Sequence, residues 1–362
     1  MQLYSTSLRV TDLLIDNFYT IERLDPEDPE GTGFQRVLDK GRAKKLADYL
    51  IEGQKSHDAF LPTSIFLATD KDIQFDAATN SITIDVDAVG PFSVVDGQHR
   101  LEGLRLAAAK VPDMGAFEVP VNIAVNLPLI AQMCHFLIVN ATQKGLDRGV
   151  EQRIFARLTA AVGFEDVPSL PRWIQRIVES GEDRQALRIV DHLNGTPDSP
   201  WFNKIKLPIQ DVKGGTVNQK TFVKAIKKYV LTVNNPMSAR TSDEQQRMFL
   251  NYWRAIAKLL DVGKPTVLFK YNGVELFCRF STPMFNKLQN AGDFRPETIQ
   301  KLLKETFDNC EGEFAGVGHP DWWLSGTGPV GEYNAAALAR VNNELIRALH
   351  RSGSGPAADL QL

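Results

Sequence analysis

Cysteine is scarce in this chain and what there is lies scattered. Cys134, Cys278 and Cys310 are the three thiols in 362 residues, and no two form a CxxC pair. An odd count without close spacing argues against a disulfide framework or a thiolate metal site, and points to buried thiols in a reducing compartment. The six histidines, at 57, 99, 135, 192, 319 and 350, show no HExxH or other ligand spacing. His135 reads as a core histidine on an apolar helix. An excess of one charge is also missing: 41 basic against 44 acidic residues leave a net charge of −3. No global pull toward nucleic acid follows, so any DNA contact needs a local patch.

Long apolar runs are absent as well. The longest falls well short of the ~18 residues that a membrane span requires. The opening MQLYSTSLRVTDLLIDNFY has neither the basic n-region nor the apolar stretch of a signal peptide. No membrane partner is therefore expected, and the cytoplasm is the expected location. There is no Walker A sequence, since Gly263-Lys-Pro-Thr lacks its upstream glycine. Gly326-Thr-Gly-Pro-Val-Gly331 has the spacing GxGxxG, but only a weak strand precedes it and Pro329 interrupts the turn. It reads as a rigid loop packed by Trp322 and Trp323.

What is present is the composition of a globular protein, 43% hydrophobic and 23% charged, with length enough for more than one domain. Strands and helices alternate at first. Residues 3–22 read as a strand and extended segment, followed by the acidic loop Asp25-Pro-Glu-Asp-Pro-Glu-Gly31. Ala43, Leu46, Ala47, Leu50 and Ile51 then fall at helical spacing. Pro62 to Ala68 reads as a buried strand and Asn80 to Val86 as an edge strand. Pro91-Phe-Ser-Val-Val ends at Asp96-Gly97, and a helix runs from Gln98 to Lys110. Pro120 to Val125 is another strand, a helix covers 129–139, and a further one begins near Asp147. Beyond 150 the pattern is helical, at 149–162, 170–180, 217–233, 243–261, 296–308 and 333–351, with less readable pieces at 187–216 and 265–285. The expected organisation is an α/β core over 1–145, a mainly helical region over 146–350 and a flexible tail over 351–362.

The sharpest local event is the strand, turn and helix around Asp96-Gly97-Gln98-His99-Arg100. The first N–H groups of a helix lack intrahelical partners, and the helix dipole places partial positive charge there. Gly97 permits a tight turn and close approach of an anion. His99 and Arg100 add donors, and the planar guanidinium fork suits phosphate. Together these describe an anion pocket for a di- or triphosphate. Asp96 either caps the helix or coordinates Mg²⁺. The bland alternative is an ordinary helix start whose arginine pairs with a neighbouring carboxylate.

Val94-Val-Asp-Gly-Gln-His-Arg-Leu-Glu-Gly-Leu104 resembles the signature of the DGQHR-domain family, the DndB- and DpdB-like proteins of DNA phosphorothioate and 7-deazaguanine systems. More distantly it resembles the corresponding motifs of ParB and sulfiredoxin. The resemblance implies a ParB/sulfiredoxin-like α/β core in which this helix start holds nucleotide phosphates. Gly33-Phe-Gln-Arg36, with the helix and strand after it, resembles the first ParB box and makes Arg36 a second phosphate or base contact; an ion pair with the loop at 25–30 is the alternative. Asn140-Ala-Thr-Gln-Lys144 resembles the ParB segment that reaches the triphosphate and its metal, with Lys144 where an arginine is usual. Asn140 and Thr142 are equally readable as helix caps. Sulfiredoxin carries its nucleophilic cysteine where this chain has Gln98, so thiol chemistry is excluded on the resemblance itself. No recognition helix is legible in 150–260, which argues against a partition protein.

The resemblance thus implies binding, and hydrolysis, of ATP or another nucleoside triphosphate with Mg²⁺, in the service of a DNA-modification or defence cluster and its partner proteins. Arg36, Gly97, Gln98, His99, Arg100, Asn140, Thr142 and Lys144 would hold the phosphates; the resemblance names no residue that orients the attacking water, for which Asp96 and Gln98 are candidates by their chemistry alone. The alternative is a DNA-binding regulator of such a cluster without catalysis. Lys220, Lys224, Lys227 and Lys228, with Lys204, Lys206 and Lys213 upstream, could track a DNA backbone or simply form a solvated helix face.

Overall fold

Period-two alternation folds the first part of the chain into a sheet. The computed structural model describes residues 1–28, 31–56, 58–142, 146–161, 171–209 and 216–352, the side chains of 141 and 142 excepted. Its strands begin with β1 (Gln2–Arg9), β2 (Tyr19–Thr20), β3 (Ile65–Ala68), β4 (Gln74–Asp76), β5 (Ser81–Thr83), β6 (Phe92–Asp96) and β7 (Glu118–Val125). Five of these form one mixed sheet in the order β1-β7-β3-β6-β2. β3 runs antiparallel to β6 and parallel to β7, and Phe66 lies opposite Asp96. The start of β3 therefore lies beside the end of β6, where the DGQHR segment begins. The edge strand expected over Asn80 to Val86 is present but shorter, as β5. β5 pairs only with β4 in a separate hairpin, and Val86 opens a short helix capped by the Asp85 carboxylate.

The helices of this part are α1 (Val10–Leu13), α2 (Lys40–Ser56), α3 (Val86–Val89), α4 (Gln98–Lys110), α5 (Leu129–Thr142) and α6 (Arg148–Ala160). Ala47 and Leu50 of α2 and Leu101, Leu104 and Ala107 of α4 bury against Ile65, Leu67, Phe92, Val94, Val121 and Ile123 of the sheet. α5 brings Phe136 onto Phe34 (ring centroids 5.4 Å apart) and His135 onto Phe66 (6.2 Å). The two partners that matter most for the site, α2 and α4, approach closely at Gly103. A Cβ there would lie 2.9 Å from Leu46 Cδ2 and 3.2 Å from the Ala43 carbonyl oxygen.

The chain forms two compact units, Met1–Arg176 and Ile177–Leu362. A division near residue 145 falls inside the first unit, because α6 sends Arg157 back to the loop that precedes α2 (below). Helix α7 (Arg172–Ser180) spans the boundary. The second unit contains α8 (Glu182–Gly195), the parallel pair β8 (Ile205–Lys206) and β9 (Val217–Asn218), α9 (Gln219–Ala225), α10 (Ser242–Leu260), α11 (Tyr271–Ala291), α12 (Pro296–Asp308) and α13 (Ala335–Arg351). Its core is aromatic: Trp201, Trp253, Tyr252, Phe222, Phe249, Phe277, Phe285 and Trp323 are fully buried. The fold is thus α/β at its N-terminal end and helical beyond, as expected. All three cysteines are free and buried, and burial alone pushes the Cys134 thiol up to about 12. No helix among the described residues is long and apolar enough to cross a membrane.

Gly103→Val tests the close approach of α2 and α4. A branched side chain should overpack the contact at a cost of about 1–3 kcal/mol, larger than the few tenths gained in helix propensity. The urea midpoint should fall with an unchanged m-value, and an unaltered midpoint would mean that the two helices are not so close.

Candidate functional site

Gly97 sets the geometry. Its φ of 112° is left-handed, and a Cβ would lie 3.2–3.3 Å from the side chain and backbone of Ile65. Only glycine turns the chain here without strain. The Leu101 N–H donates to the Gly97 carbonyl at 2.9 Å, so α4 starts at once. Gly97 has no side chain to cap it, which leaves the N–H groups of Gln98, His99 and Arg100 without an intrahelical acceptor.

The start of α2 lies alongside. The Asp39 carboxylate accepts from the Arg42 N–H at 3.0 Å and caps its own helix. The Asp39 N–H in turn donates to His99 Nε2 at 3.0 Å, which joins the two helix starts directly. Because Nε2 accepts, the ring proton sits on Nδ1. The His99 pKa lies below its ordinary value, first through burial and then through repulsion by Arg36 and Arg42, with Asp39 and Asp96 opposing.

The loop before α2 is held from three sides. Gln35 is buried and donates to the Val94 carbonyl (2.7 Å) and the Val95 carbonyl (2.8 Å), so its amide occupies the flank of β6 past the point where β2 ends. Gly33 presses on the chain itself: a Cβ would lie 1.7 Å from the Arg23 carbonyl oxygen. From α6, the Arg157 guanidinium donates to the carbonyls of Gly33, Asp25 (2.8 Å) and Asp28 (2.5 Å). Arg36 is fixed by its backbone, while its guanidinium makes no ion pair among the described residues. Arg157 holds the described part of the acidic loop through the carbonyls of Asp25 and Asp28, and Glu30 lies outside the described residues.

These elements enclose a cleft of about 230 Å³, lined by Arg36, Asp96, Gly97, His99, Arg100 and Asn140 together with Arg42, Leu46, Leu61 and Thr63. Six of the residues picked from the sequence thus meet in one place. Gln98 is not among the residues that line it. Gln98 is only 5% exposed and donates to the Arg36 carbonyl at 3.2 Å. Expected to face a ligand or a water, it instead points into the protein and fastens the Arg36 loop to α4. Thr142, whose side chain is not described, and Lys144 lie outside the described residues. Arg42 and Thr63 were not anticipated. The signal for Arg42 was its place on the polar flank of α2, three residues after the capping Asp39.

Arg100 is less free than its motif suggests. It forms an ion pair with Asp96 Oδ2 at 2.6 Å and donates to the Ser64 carbonyl at 2.9 Å. Ser64 Oγ accepts from Asn122 (2.8 Å), whose Oδ1 accepts from the Ser5 hydroxyl (2.7 Å). A polar chain thus links Arg100 across β3, β7 and β1. Asn140 donates to the Phe136 carbonyl of its own helix at 2.8 Å. Arg42, like Arg36, makes no ion pair among the described residues, so two unpaired guanidiniums converge on an uncapped helix start. That arrangement attracts anions. Mg²⁺ takes one or two carboxylates plus phosphate oxygens. Asp96 lines the cleft and fits as a single protein ligand, through the oxygen that Arg100 does not hold. No group of three or more metal-ligating side chains exists among the described residues.

The lysine patch of the second unit is partly neutralised. Lys227 pairs with Asp183 (3.1 Å) and Glu182 (3.7 Å), and Lys228 with Glu275 (3.5 Å). Lys204 sits 3.8 Å over the Phe269 ring. The helix expected over 217–233 breaks after Ala225 into a π turn, Ile226–Val230, so Lys220 and Lys224 do not share one straight face with Lys227 and Lys228. Lys213 lies outside the described residues. At the glycine-rich loop, a Cβ on Gly328 would lie 2.4 Å from the Trp322 carbonyl oxygen, and Trp323 Nε1 donates to the Val317 carbonyl. This is a packed loop, as its sequence suggested.

Residues 2–152 match the family model of DndB, described as DNA-sulfur modification-associated. Over these residues the chain is DndB-like. No curated protein and no solved structure matches the chain, so the likeness to ParB and sulfiredoxin stands on motifs alone.

A pH dependence follows from His99. Its folded pKa is depressed, so below the ordinary value near 6.5 the unfolded chain takes up a proton that the folded chain resists, and stability falls with falling pH. His99→Gln keeps an acceptor for the Asp39 N–H but does not titrate. Its melting temperature should decline less than the wild type's between pH 7 and 5, with the other histidines common to both. Equal declines would show that this imidazole is not held neutral.

Proposed function

We propose that the DndB-like N-terminal part is a polyphosphate-binding module of a DNA-sulfur modification system, and that it binds and hydrolyses ATP or another nucleoside triphosphate with Mg²⁺. The observation that carries this reading is the convergence of unpaired Arg36 and Arg42 on the uncapped start of α4, with neutral His99 between the two helix ends. Oriented amides and guanidiniums stabilise charge on a phosphoryl group both when it binds and when it is transferred. Mg²⁺, bound through Asp96 and the phosphates, would neutralise the charge that remains. In hydrolysis, water forms the new P–O bond to the terminal phosphorus, the bridging P–O bond breaks and the diphosphate leaves. Since the Gln98 amide is committed to Arg36, orientation of the water falls to Asp96. Arg100, tied to Asp96, sets that carboxylate's position rather than gripping the ligand alone.

A DNA-binding regulator of the same kind of cluster is the second reading. It draws on the DNA-sulfur association, but the ion pairs of Lys227 and Lys228 support it less than an open patch would. Partner proteins of the modification cluster fit either reading.

Calorimetric titration with ATP and Mg²⁺ separates the cases. Each of Arg36→Ala and Arg42→Ala should weaken binding roughly 10- to 100-fold, the worth of about 1.5–3 kcal/mol for a hydrogen bond to a charged group. Phosphate release should disappear in Asp96→Asn. Absence of heat with every common nucleoside triphosphate would end the proposal, and salt-sensitive promoter binding indifferent to nucleotide would establish the second reading in its place.

A further inference from the structure

The cleft is small for what it is proposed to hold. Sites that enclose a drug-sized ligand run to roughly 300–1,000 Å³, whereas this one measures about 230 Å³. A row of phosphates fits such a space, and the rest of a nucleotide would then lie at its mouth.

Helix α2 provides a surface there. Arg42, Leu46 and Tyr49 stand at i, i+4 and i+7 and so share one flank. Arg42 and Leu46 line the cleft, as does Leu61 from the loop before β3. At 1.5 Å per residue, Tyr49 lies about 10 Å along the axis from Arg42. The flank thus runs from cation to aliphatic to aromatic, the order in which a nucleotide presents phosphate, sugar and base. Tyr49 is 46% exposed and Phe60 is 62% exposed. The Tyr49 hydroxyl donates to the Phe60 carbonyl at 3.3 Å, which steadies the ring and ties the Phe60 loop to the helix. Aromatic faces of this kind accept any base, because every base has a π-face.

We propose that Tyr49, with Phe60 beside it, is a stacking subsite for the base of the nucleotide whose phosphates occupy the cleft. The proposal rests on the reading of the cleft as a polyphosphate site. Neither side chain offers a base-edge hydrogen-bond pattern, so the subsite favours nucleotides over bare polyphosphate without selecting one base.

The test compares ATP with tripolyphosphate, each with Mg²⁺, on the full chain. Wild type should bind ATP more tightly than tripolyphosphate. Tyr49→Ala should lose about 5- to 100-fold in ATP affinity, the range expected from stacking of one base, while tripolyphosphate affinity stays put and attests to the fold. Tyr49→Trp should retain ATP binding, and Phe60→Ala should weaken ATP alone, by a smaller factor. Equal loss for both ligands in Tyr49→Ala would assign the ring a structural role and overturn the subsite. No loss for either would also overturn the subsite, with the phosphate site left standing. Failure of both ligands on wild type would instead remove the polyphosphate reading itself. Tyr49-dependent binding of a short DNA oligonucleotide, tighter than that of ATP, would overturn a free nucleotide as the occupant.

Discussion

Two helix starts, each carrying partial positive charge, are held against one another in the N-terminal part of this chain, and the remaining features of the site answer to that constraint. Like poles repel. The structure relieves one of them internally, by the Asp39 carboxylate that caps α2, and leaves the other uncapped at Gly97. The bond from the Asp39 N–H to His99 works only with a neutral imidazole, and burial together with Arg36 and Arg42 keeps it neutral. The side chains that maintain the join and those that would attract an anion are therefore largely the same, so the site's electrostatics and its architecture cannot be varied independently.

Much of this was legible in the sequence because it is local. The strand, Asp-Gly turn and helix were readable from composition and periodicity, and that segment alone implied the amide cluster. The thiols and the glycine-rich loop near 326 also behave as their neighbours in sequence suggest. Gln98 was misjudged because motif membership says nothing about direction. One residue into a helix, a side chain turns either outward or back onto the protein, and here a carbonyl from a loop some sixty residues earlier decides it. Arg42 escaped notice for a related reason: its flank of α2 gains meaning only once Gly103 lets α4 approach. Lys227 and Lys228 looked free because their carboxylate partners, Glu182, Asp183 and Glu275, come from distant helices.

Secondary structure shows the same division. α11 was hard to read because it is apolar around much of its circumference and contains Pro283, which together blur the 3.6-residue period. α8 is a different case. Ala186, Leu187, Ile189, Val190 and Leu193 give a clear buried stripe, and only the adjoining irregular segment obscured it. The hairpin of β4 and β5 shows what periodicity cannot supply: a correct strand, whose partner and sheet are set by tertiary structure.

The Arg157 clamp bears on how the N-terminal part can be isolated. The last recognisable motif ends near residue 145 and the family match at residue 152, so either invites a cut. Both cuts would sever the chain ahead of the guanidinium that satisfies the carbonyls of Asp25, Asp28 and Gly33. A fragment ended there keeps every motif residue but loses the brace on the loop that presents Arg36. The smallest self-sufficient fragment is therefore defined by a side chain outside the signature, and its C-terminal limit belongs beyond α6.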